Sequence, residues 1–130
     1  MIGFAGRFAL GAVSVVLLCG FAADGGWLKR VPAQYKDRRN PLAGQAEAIA
    51  GGRKVYLQHC ASCHGEEVLG RGKRPSLRSQ RVRQATDGEL DWLLENGSLA
   101  RGMPSWSKLP EQQRWQVIAY LRSLPPISED

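Results

Sequence analysis

The most reactive side chains in this sequence lie in one pentapeptide, Cys-Ala-Ser-Cys-His, which contains Cys60, Cys63 and His64. Two cysteines separated by two residues, with a histidine directly after the second, form the attachment motif for a covalently bound haem. On one helical turn the two thiols can form thioethers to neighbouring vinyl groups of one porphyrin, and the histidine then reaches the iron from the same side. The motif therefore predicts one haem c, with Cys60 and Cys63 as covalent anchors and His64 as an axial ligand.

The ligand on the other face of the iron is predicted by elimination. The chain contains only two histidines and two methionines. His59 lies on the same segment as His64 and cannot reach the opposite face of the ring, and Met1 belongs to the N-terminal leader. Met103 is the remaining sulfur ligand, although a lone methionine ordinarily fills a gap in a core. Histidine and methionine together would occupy both axial positions and raise the reduction potential, which indicates an electron-transfer site.

These residues leave three functions open. The favoured interpretation is an electron carrier or electron-accepting subunit that turns over no substrate and is not an enzyme. The alternative is a haem enzyme or sensor, peroxidase-like or gas-binding, in which Met103 leaves the iron in the active state. The third takes Cys60 and Cys63 as a thioredoxin-type redox pair or as zinc ligands, but the sequence shows no βαβ pattern and no second pair of ligands.

Length, charge and cysteine content restrict the class of protein. The chain has 130 residues, 43% of them hydrophobic, and is predicted to form one domain with an N-terminal extension. The net charge of +6 is too small to indicate nucleic-acid binding, and no recognition motif accompanies it. This charge suits either the docking of an acidic partner or simple solubility. The three cysteines do not form a disulfide framework, because two belong to the haem motif and Cys19 lies in the leader.

Residues 1–23 form a predicted export leader. Arg7 is the only charged residue in this stretch. The uncharged part is slightly long for the core of a signal peptide and short of the roughly 20 apolar residues that span a bilayer. A cleaved signal peptide is favoured over an uncleaved N-terminal anchor, and membrane contact is expected only if the segment is retained. In either case the protein is expected in the periplasm, which agrees with haem attachment outside the cytoplasm.

The rest of the chain divides into a linker, a domain and a tail. Residues 24–44 are predicted to be a linker without clear periodicity, which contains a basic run and either wraps the domain or stays mobile. Residues 45–125 are predicted to form the haem domain, and residues 126–130 a C-terminal tail.

The first helix of the domain is predicted from about Gln45 to Cys60. Gly51 and Gly52 each cost about 1 kcal/mol in a helix interior relative to alanine, so a compensating interaction is expected. Close approach of another helix at Gly52, where no side chain stands in the way, would supply it. The alternative is a helix that begins only after Gly52, and the packing interpretation is favoured.

Two further helices are predicted in the second half of the domain. A capping box of Thr86 and Glu89 should open the first of them, which should end at Asn96. The last helix should start at Pro110 and end at Pro125. Its buried stripe is predicted to contain Val117, Tyr120, Leu121 and Leu124, flanked by Trp115 and Ile118. Because no strand pattern occurs, the fold class is predicted to be all-α, with three main helices and loops around one haem.

A basic loop separates the haem motif from the second helix. Residues 65–84 are predicted to form this loop, and no acid falls between Val68 and Thr86. The run is interpreted either as a solvated face or as a docking patch that steers a negatively charged partner. One or more of its arginines could also pair with a haem propionate. The six basic residues are Arg71, Lys73, Arg74, Arg78, Arg81 and Arg83.

From about residue 45 to residue 124, the chain resembles the class I cytochrome c family. Gly52 and Tyr56 lie eight and four residues before Cys60, where that family has a glycine and an aromatic residue in contact with another helix. Tyr120 matches the partner aromatic residue on the last helix. The resemblance implies a cytochrome c-like fold.

The resemblance also implies roles for loop residues. It implies that the carbonyl of Pro75 receives a hydrogen bond from the axial His64, and that Trp106 lies in the haem pocket. The loop Gly102-Met103-Pro104 matches the methionine-ligand loop of bacterial members. The Asn40-Pro41 segment and residues 102–106 look most like those of small bacterial monohaem cytochromes associated with oxidases or periplasmic dehydrogenases. The expected partners are therefore redox proteins, either a periplasmic dehydrogenase or a terminal oxidase.

Overall fold

The fold is helical in the part of the chain that a computed structural model describes, residues 26–127. This range contains no strand, only two isolated bridges between single residues. The predicted all-α class is therefore confirmed, and the predicted leader lies outside the described residues. The helices of the described range are α1 (Ala33–Lys36), α2 (Ala46–His59), α3 (Ala61–His64), α4 (Gln80–Gln84), α5 (Asp87–Asn96) and α6 (Glu111–Ser123), with 3-10 turns at Gly26–Arg30 and Leu99–Arg101.

The ends of α2 and α5 follow the signals in the sequence. Gln45 and Cys60 cap α2, one residue outside each of its ends. In α5 the Thr86 hydroxyl accepts a hydrogen bond from the amide of Glu89, and the Glu89 carboxylate accepts one from the amide of Thr86. The predicted capping box is therefore present. The helix ends before Gly97, whose φ of 69° suits only glycine without strain.

The last helix, α6, differs from the prediction in two details. It begins at Glu111, because Pro110 has an extended backbone (φ −52°, ψ 144°) and caps the helix instead of opening it. Ile118, expected only beside the buried stripe, is 0% exposed, whereas Leu121, expected within the stripe, is half-buried. The reason is that α6 packs against both α2 and α5, so its buried face is wider than a single stripe.

α2 and α6 cross at Gly52 in direct backbone contact. A Cβ at this position would lie 1.9 Å from the carbonyl oxygen of Gln116, so no residue with a side chain fits. Beside the crossing, the rings of Tyr56 and Tyr120 pack with their centroids 5.6 Å apart and their planes tilted by 53°. The predicted close approach at Gly52 is confirmed, and the alternative of a helix that begins after Gly52 is wrong.

Residues 26–44 pack on the long helices. α1 lies against α5, where the carbonyl oxygen of Tyr35 occupies the space that a Cβ on Gly88 would need. The buried Asn40 donates through its side-chain amide to the carbonyl oxygen of Trp115 at 2.8 Å. Of the two arrangements that the sequence left open for this segment, the structure shows the one that wraps the domain. Its apolar residues Trp27, Leu28 and Leu42 pack against a core cluster of Ala85, Leu90, Trp115 and Ile118.

A buried ion-pair group joins this segment to the long helices, and the sequence contains no signal for it. Asp91 on α5 is completely buried. Its carboxylate accepts hydrogen bonds from Arg114 Nε at 2.8 Å and from Arg38 Nη1 at 3.0 Å. Arg38 also contacts Glu111, and its guanidinium lies 5.2 Å from the ring centroid of Trp115. Charge-assisted hydrogen bonds from two arginines compensate the desolvation of the buried carboxylate.

Candidate haem-binding site

The haem motif lies on one turn between α2 and the short helix α3. The amides of Cys63 and His64 both donate to the carbonyl oxygen of Cys60, at 3.2 and 2.9 Å. α3 ends at Gly65, whose φ of 82° turns the chain away from the helix axis. Both thiols are free and half-buried. A single turn therefore presents the three side chains of the motif.

A backbone carbonyl orients the ring of His64. Its Nδ1 lies 3.0 Å from the carbonyl oxygen of Pro75. Because a carbonyl only accepts, Nδ1 carries the proton and donates it, which leaves Nε2 with a free lone pair for a metal. Gly70 makes this contact possible, since its amide donates to the His64 carbonyl at 2.8 Å and a Cβ there would lie 2.5 Å from the carbonyl oxygen of Arg74.

A buried tyrosine holds the end of the motif in place. The hydroxyl of Tyr56 donates to the carbonyl oxygen of Gly65 at 2.7 Å. Burial raises the pKa of Tyr56 well above its ordinary value, so the hydroxyl keeps its proton and remains a donor. The same side chain packs on Tyr120, so the position of the motif depends on the crossing of α2 and α6.

Met103 lies in a tight loop that two backbone hydrogen bonds close. The amide of Ser98 donates to the carbonyl of Met103 at 2.9 Å, and the amide of Met103 donates to the carbonyl of Ser98 at 3.1 Å. Between them, the 3-10 turn Leu99–Arg101 and Gly102, with a φ of 79°, complete the loop. Met103 itself is half-buried. We call residues 98–103 the methionine loop. Its hydrogen-bonded backbone holds the single thioether of Met103.

Trp106, shortly after the methionine loop, contacts α5 and the residue that precedes the haem motif. Its amide donates to the carbonyl of Leu94 at 2.7 Å, and its ring packs on the ring of His59 with the centroids 5.3 Å apart. His59 directly precedes Cys60, so Trp106 packs on the residue before the first cysteine of the motif. The sequence gives no signal for the contact with His59, since it joins two segments that lie far apart in the chain.

Two of the basic residues between 65 and 84 hydrogen-bond to the segment that follows α6. Arg78 donates to the carbonyl oxygen of Pro125 through Nε at 3.0 Å and Nη2 at 2.8 Å, and Arg83 donates to that of Leu124 at 3.2 Å. Both arginines therefore donate to carbonyls just after the last residue of α6, Ser123. Arg83 is exposed and Arg78 is half-buried, so both make these bonds at the surface, and α4 replaces part of the predicted loop.

Two other arginines of this stretch contact the candidate site. Arg71 donates through Nη1 to the carbonyl oxygen of Ser62, between the two cysteines, at 3.3 Å. Arg74 donates through Nη1 to the carbonyl oxygen of Gly102, in the methionine loop, at 3.2 Å. One arginine thus joins this stretch to the haem motif, and the other joins it to the methionine loop.

The two cysteines lack the features of a thioredoxin-type pair or of a zinc site. Burial, with a smaller effect from Cys63, raises the pKa of the Cys60 thiol to about 11. A redox-active dithiol needs the opposite shift, because the thiolate is the nucleophile. Within residues 26–127 there is no strand and no cluster of three or more His, Cys, Asp or Glu side chains that could hold a metal ion.

The residues of the site fit a haem c. Two half-buried thiols lie on one turn, an imidazole keeps Nε2 free, and a thioether is held on a separate loop. Cys60 and Leu77 pack against the core cluster around Tyr56 and Tyr120, so the motif has apolar surroundings. Thiols, imidazole and thioether are the groups that anchor and ligate the iron porphyrin of cytochromes c.

A helical domain with this motif, an oriented histidine and a separate methionine loop defines a c-type cytochrome. The family model described as "Cytochrome C oxidase, cbb3-type, subunit III" matches residues 47–121. The chain belongs to the cytochrome c family, and its resemblance to class I monohaem cytochromes is confirmed.

Similar proteins include both small and large cytochromes. The chain is 30% identical over 113 residues to cytochrome c550 of Pseudomonas aeruginosa, covering 79% of this chain and 76% of that protein. It is 28% identical to cytochrome c oxidase subunit 2 of Alkalihalophilus pseudofirmus over 75% of this chain. It is 29% identical to the quinohemoprotein alcohol dehydrogenase ADH IIB of Pseudomonas putida over 71% of this chain. The chain spans only 30% and 13% of the length of these last two proteins.

A solved structure shows the same fold. Cytochrome cL from Hyphomicrobium denitrificans matches with a TM-score of 0.54 at 21% identity, covering 75% of this chain and 65% of that chain. The predicted cytochrome c-like fold is therefore confirmed. Members of the cytochrome c family hold haem c covalently and carry electrons, so this chain is an electron carrier with covalently bound haem c.

Proposed function

We propose that the chain passes single electrons between exported redox proteins and turns over no substrate of its own. Cys60 and Cys63 anchor the haem through thioethers, and the haem supplies a one-electron couple when bound. His64 and Met103 would ligate its iron. The observation that carries this proposal is the contact between His64 Nδ1 and the carbonyl of Pro75, because it leaves Nε2 as the ring nitrogen able to bind a metal.

The methionine loop supports electron transfer over catalysis. Its two hydrogen bonds between Ser98 and Met103 hold the thioether on a closed loop. When protein side chains fill both axial positions, no position on the iron remains for a substrate or a gas. Methionine as the second ligand also stabilises the reduced iron and raises the potential.

The partners are proposed to be redox proteins, either a periplasmic dehydrogenase or a terminal oxidase. Two similar proteins support this pair of classes, since one is an oxidase subunit and the other an alcohol dehydrogenase. The net charge of +6 suits an acidic docking surface on a partner. The proposed compartment is the periplasm, reached with the leader of residues 1–23. Of the helices between residues 26 and 127, none has the length and apolar character needed to cross a membrane.

Replacing Met103 tests the proposal. In Met103→Ala, the midpoint potential should fall by at least about 60 mV, which is a tenfold change in a one-electron equilibrium constant. The reduced variant should also bind carbon monoxide, because one axial position is open. Redox titration and the absorption spectrum under carbon monoxide measure the two effects.

Leu99→Ala is the matched control for this experiment. Leu99 lies in the same loop and is 74% exposed, so its truncation should change neither the potential nor ligand binding. An unchanged spectrum in Met103→Ala would mean that Met103 only packs. Rapid binding of carbon monoxide by the reduced wild-type protein at neutral pH would instead favour the haem enzyme or gas sensor.

A further inference from the structure

We propose that Arg74 is a positioning residue that holds the methionine loop and thereby controls how readily Met103 leaves the iron. This inference rests on the proposed ligation by His64 and Met103. The basis is the side chain of Arg74. Its backbone lies beside Pro75, which orients His64, and its guanidinium contacts the methionine loop, which carries Met103.

The backbone of Arg74 is fixed on the histidine side of the site. Arg71 and Arg74 exchange two backbone hydrogen bonds of 3.2 and 2.8 Å, which close a tight turn at Gly72, where φ is 54°. The residue after Arg74 is Pro75, whose carbonyl accepts the hydrogen bond from His64. The base of the Arg74 side chain is therefore part of the structure that orients the histidine.

The other end of the side chain meets the methionine loop directly before Met103. Arg74 Nη1 donates to the carbonyl oxygen of Gly102 at 3.2 Å. A Cβ on Gly102 would lie only 3.3 Å from the same Nη1, so the guanidinium sits directly against this residue. The amide of Met103, in the same peptide unit as the Gly102 carbonyl, donates to the carbonyl of Ser98 at 3.1 Å, so the Gly102 carbonyl points away from Ser98.

The methionine loop has little apolar burial to hold it in place. Leu99 is 74% exposed, and Ala100 and Gly102 are exposed as well. Segments with few buried contacts open locally at low free energy. A hydrogen bond from a charged donor lowers the population of the open loop. Without Arg74, the loop should open more often, and Met103 should exchange more readily for another ligand.

Imidazole binding to the oxidised, haem-loaded protein tests this inference, because imidazole must displace Met103. Arg74→Gln should raise the apparent affinity for imidazole about threefold to tenfold, as expected for the loss of an exposed charge-assisted hydrogen bond. Lys73→Gln is the control, since Lys73 lies on the same exposed turn and its substitution removes the same charge. Arg74→Lys keeps a donor and should give an intermediate affinity.

A double-mutant cycle separates an effect through Met103 from any other effect of Arg74. In the Met103→Ala background no methionine remains to be displaced, so Arg74→Gln should change imidazole affinity by less than about twofold. Hydrogen exchange gives a second readout that does not involve the iron. The amide of Met103, bonded to Ser98, should exchange faster in Arg74→Gln than in Lys73→Gln.

The outcomes distinguish this inference from the proposed ligation. If Arg74→Gln and Lys73→Gln bind imidazole equally and both bind it more weakly than Met103→Ala, the ligation stands and the role of Arg74 is overturned. An Arg74 effect that persists in the Met103→Ala background also overturns it, and would indicate pairing with a haem propionate. If the wild type binds imidazole as tightly as Met103→Ala, the ligation itself fails.

Discussion

The buried carboxylate of Asp91 links its own helix, α5, to α6 and to the N-terminal segment. Arg114 reaches it from α6 and Arg38 from the N-terminal segment, while Asp91 itself lies on α5. Arg114 also donates to the carbonyl of Leu109 at 3.0 Å, so its guanidinium is well satisfied. Removing one partner of such a pair leaves an uncompensated buried charge. The resulting loss of stability exceeds the net stabilisation that the intact pair contributes.

Asp91→Asn should therefore lower the free energy of unfolding by about 3–5 kcal/mol, measured by urea denaturation of the haem-loaded protein. Glu111→Gln is the control. Glu111 contacts the same Arg38, but its side chain is 53% exposed, so the change should stay below about 1 kcal/mol. Similar losses for the two variants would contradict this account of Asp91.

The crossing of α2 and α6 depends on one glycine of an adjacent pair. A Cβ on Gly52 would meet the backbone of Gln116, which cannot move without displacing the helix. A Cβ on Gly51 would instead meet the side-chain amide of Gln116 at 3.0 Å, and that side chain can rotate away. The two glycines thus have the same helix propensity and opposite packing requirements.

Gly52→Ala should lower the free energy of unfolding by about 3 kcal/mol or more, because overpacking separates the two helices. Gly51→Ala should leave it unchanged or raise it by up to about 1 kcal/mol, since alanine favours the helix. Thermal unfolding of both variants measures the difference. Equal destabilisation would show that the crossing does not depend on Gly52.

The short helix α1 is joined to α5 by a hydrogen bond whose donor, the hydroxyl of Tyr35, loses its proton at high pH. The hydroxyl of Tyr35 donates to the carboxylate of Glu95 at 3.1 Å. This hydrogen bond, with burial and the negative charge of Glu95, raises the pKa of Tyr35 above its ordinary value of 10.0. Because the folded pKa lies above the unfolded one, the contribution to stability is complete below about pH 10 and is lost as the pH rises through the folded pKa.

Tyr35→Phe should lower the free energy of unfolding by about 0.5–1.5 kcal/mol at pH 7. The difference from the wild type should shrink above about pH 10, where the wild type loses the same hydrogen bond. Urea denaturation at neutral and alkaline pH measures both values. A difference that stays constant over this range would show that the Tyr35 hydroxyl makes no stabilising bond.

The molecule as a whole combines a small chain with a large covalent cofactor. The protein core of the described residues consists of two separate clusters, one around Tyr56 and Tyr120 and the other around Trp115 and Ile118. Small domains bury a limited fraction of their surface and usually need an additional stabilising element. A covalent and mostly apolar haem supplies that element.

Cys60→Ser/Cys63→Ser removes both thioethers and tests this dependence. Wild-type protein should stay coloured after denaturation and acid–acetone extraction, whereas the double variant should lose its colour. The free energy of unfolding of natural domains is about 5–15 kcal/mol, and the variant should lose most of it. Far-UV circular dichroism during urea denaturation measures this loss. Ser62→Ala, between the two cysteines, should change neither property. Colour that extracts freely from the wild type would contradict covalent attachment.

The helix ends that were predicted correctly from the sequence depend on residues close together in the chain. The capping box of Thr86 and Glu89 spans one helical turn, and the glycine after Asn96 ends the same helix. The start of α6 was predicted one residue early, because Pro110 suits both the first position of a helix and an extended cap. Local signals place a helix end only to within a residue or two.

The roles of the arginines could not be predicted, because their partners are backbone atoms from distant segments. Arg78 and Arg83 look like surface charges in the sequence, yet they donate to carbonyls of Pro125 and Leu124 at the end of α6. Asp91 likewise looks like an exposed helical residue, and only the approach of Arg114 and Arg38 makes its burial possible. Such contacts depend on the tertiary structure and leave no signal in the local sequence.

Local spacing alone was enough to identify the haem motif, the three long helices and a single candidate for the second iron ligand. Only the tertiary structure decided which atoms surround those residues. It placed the Arg74 guanidinium on the carbonyl of Gly102, just before Met103, and the Arg71 guanidinium on that of Ser62, between the two cysteines. The physical reason is that covalent attachment depends on side chains one turn apart, whereas the orientation of an axial ligand depends on carbonyls and donors brought together by folding.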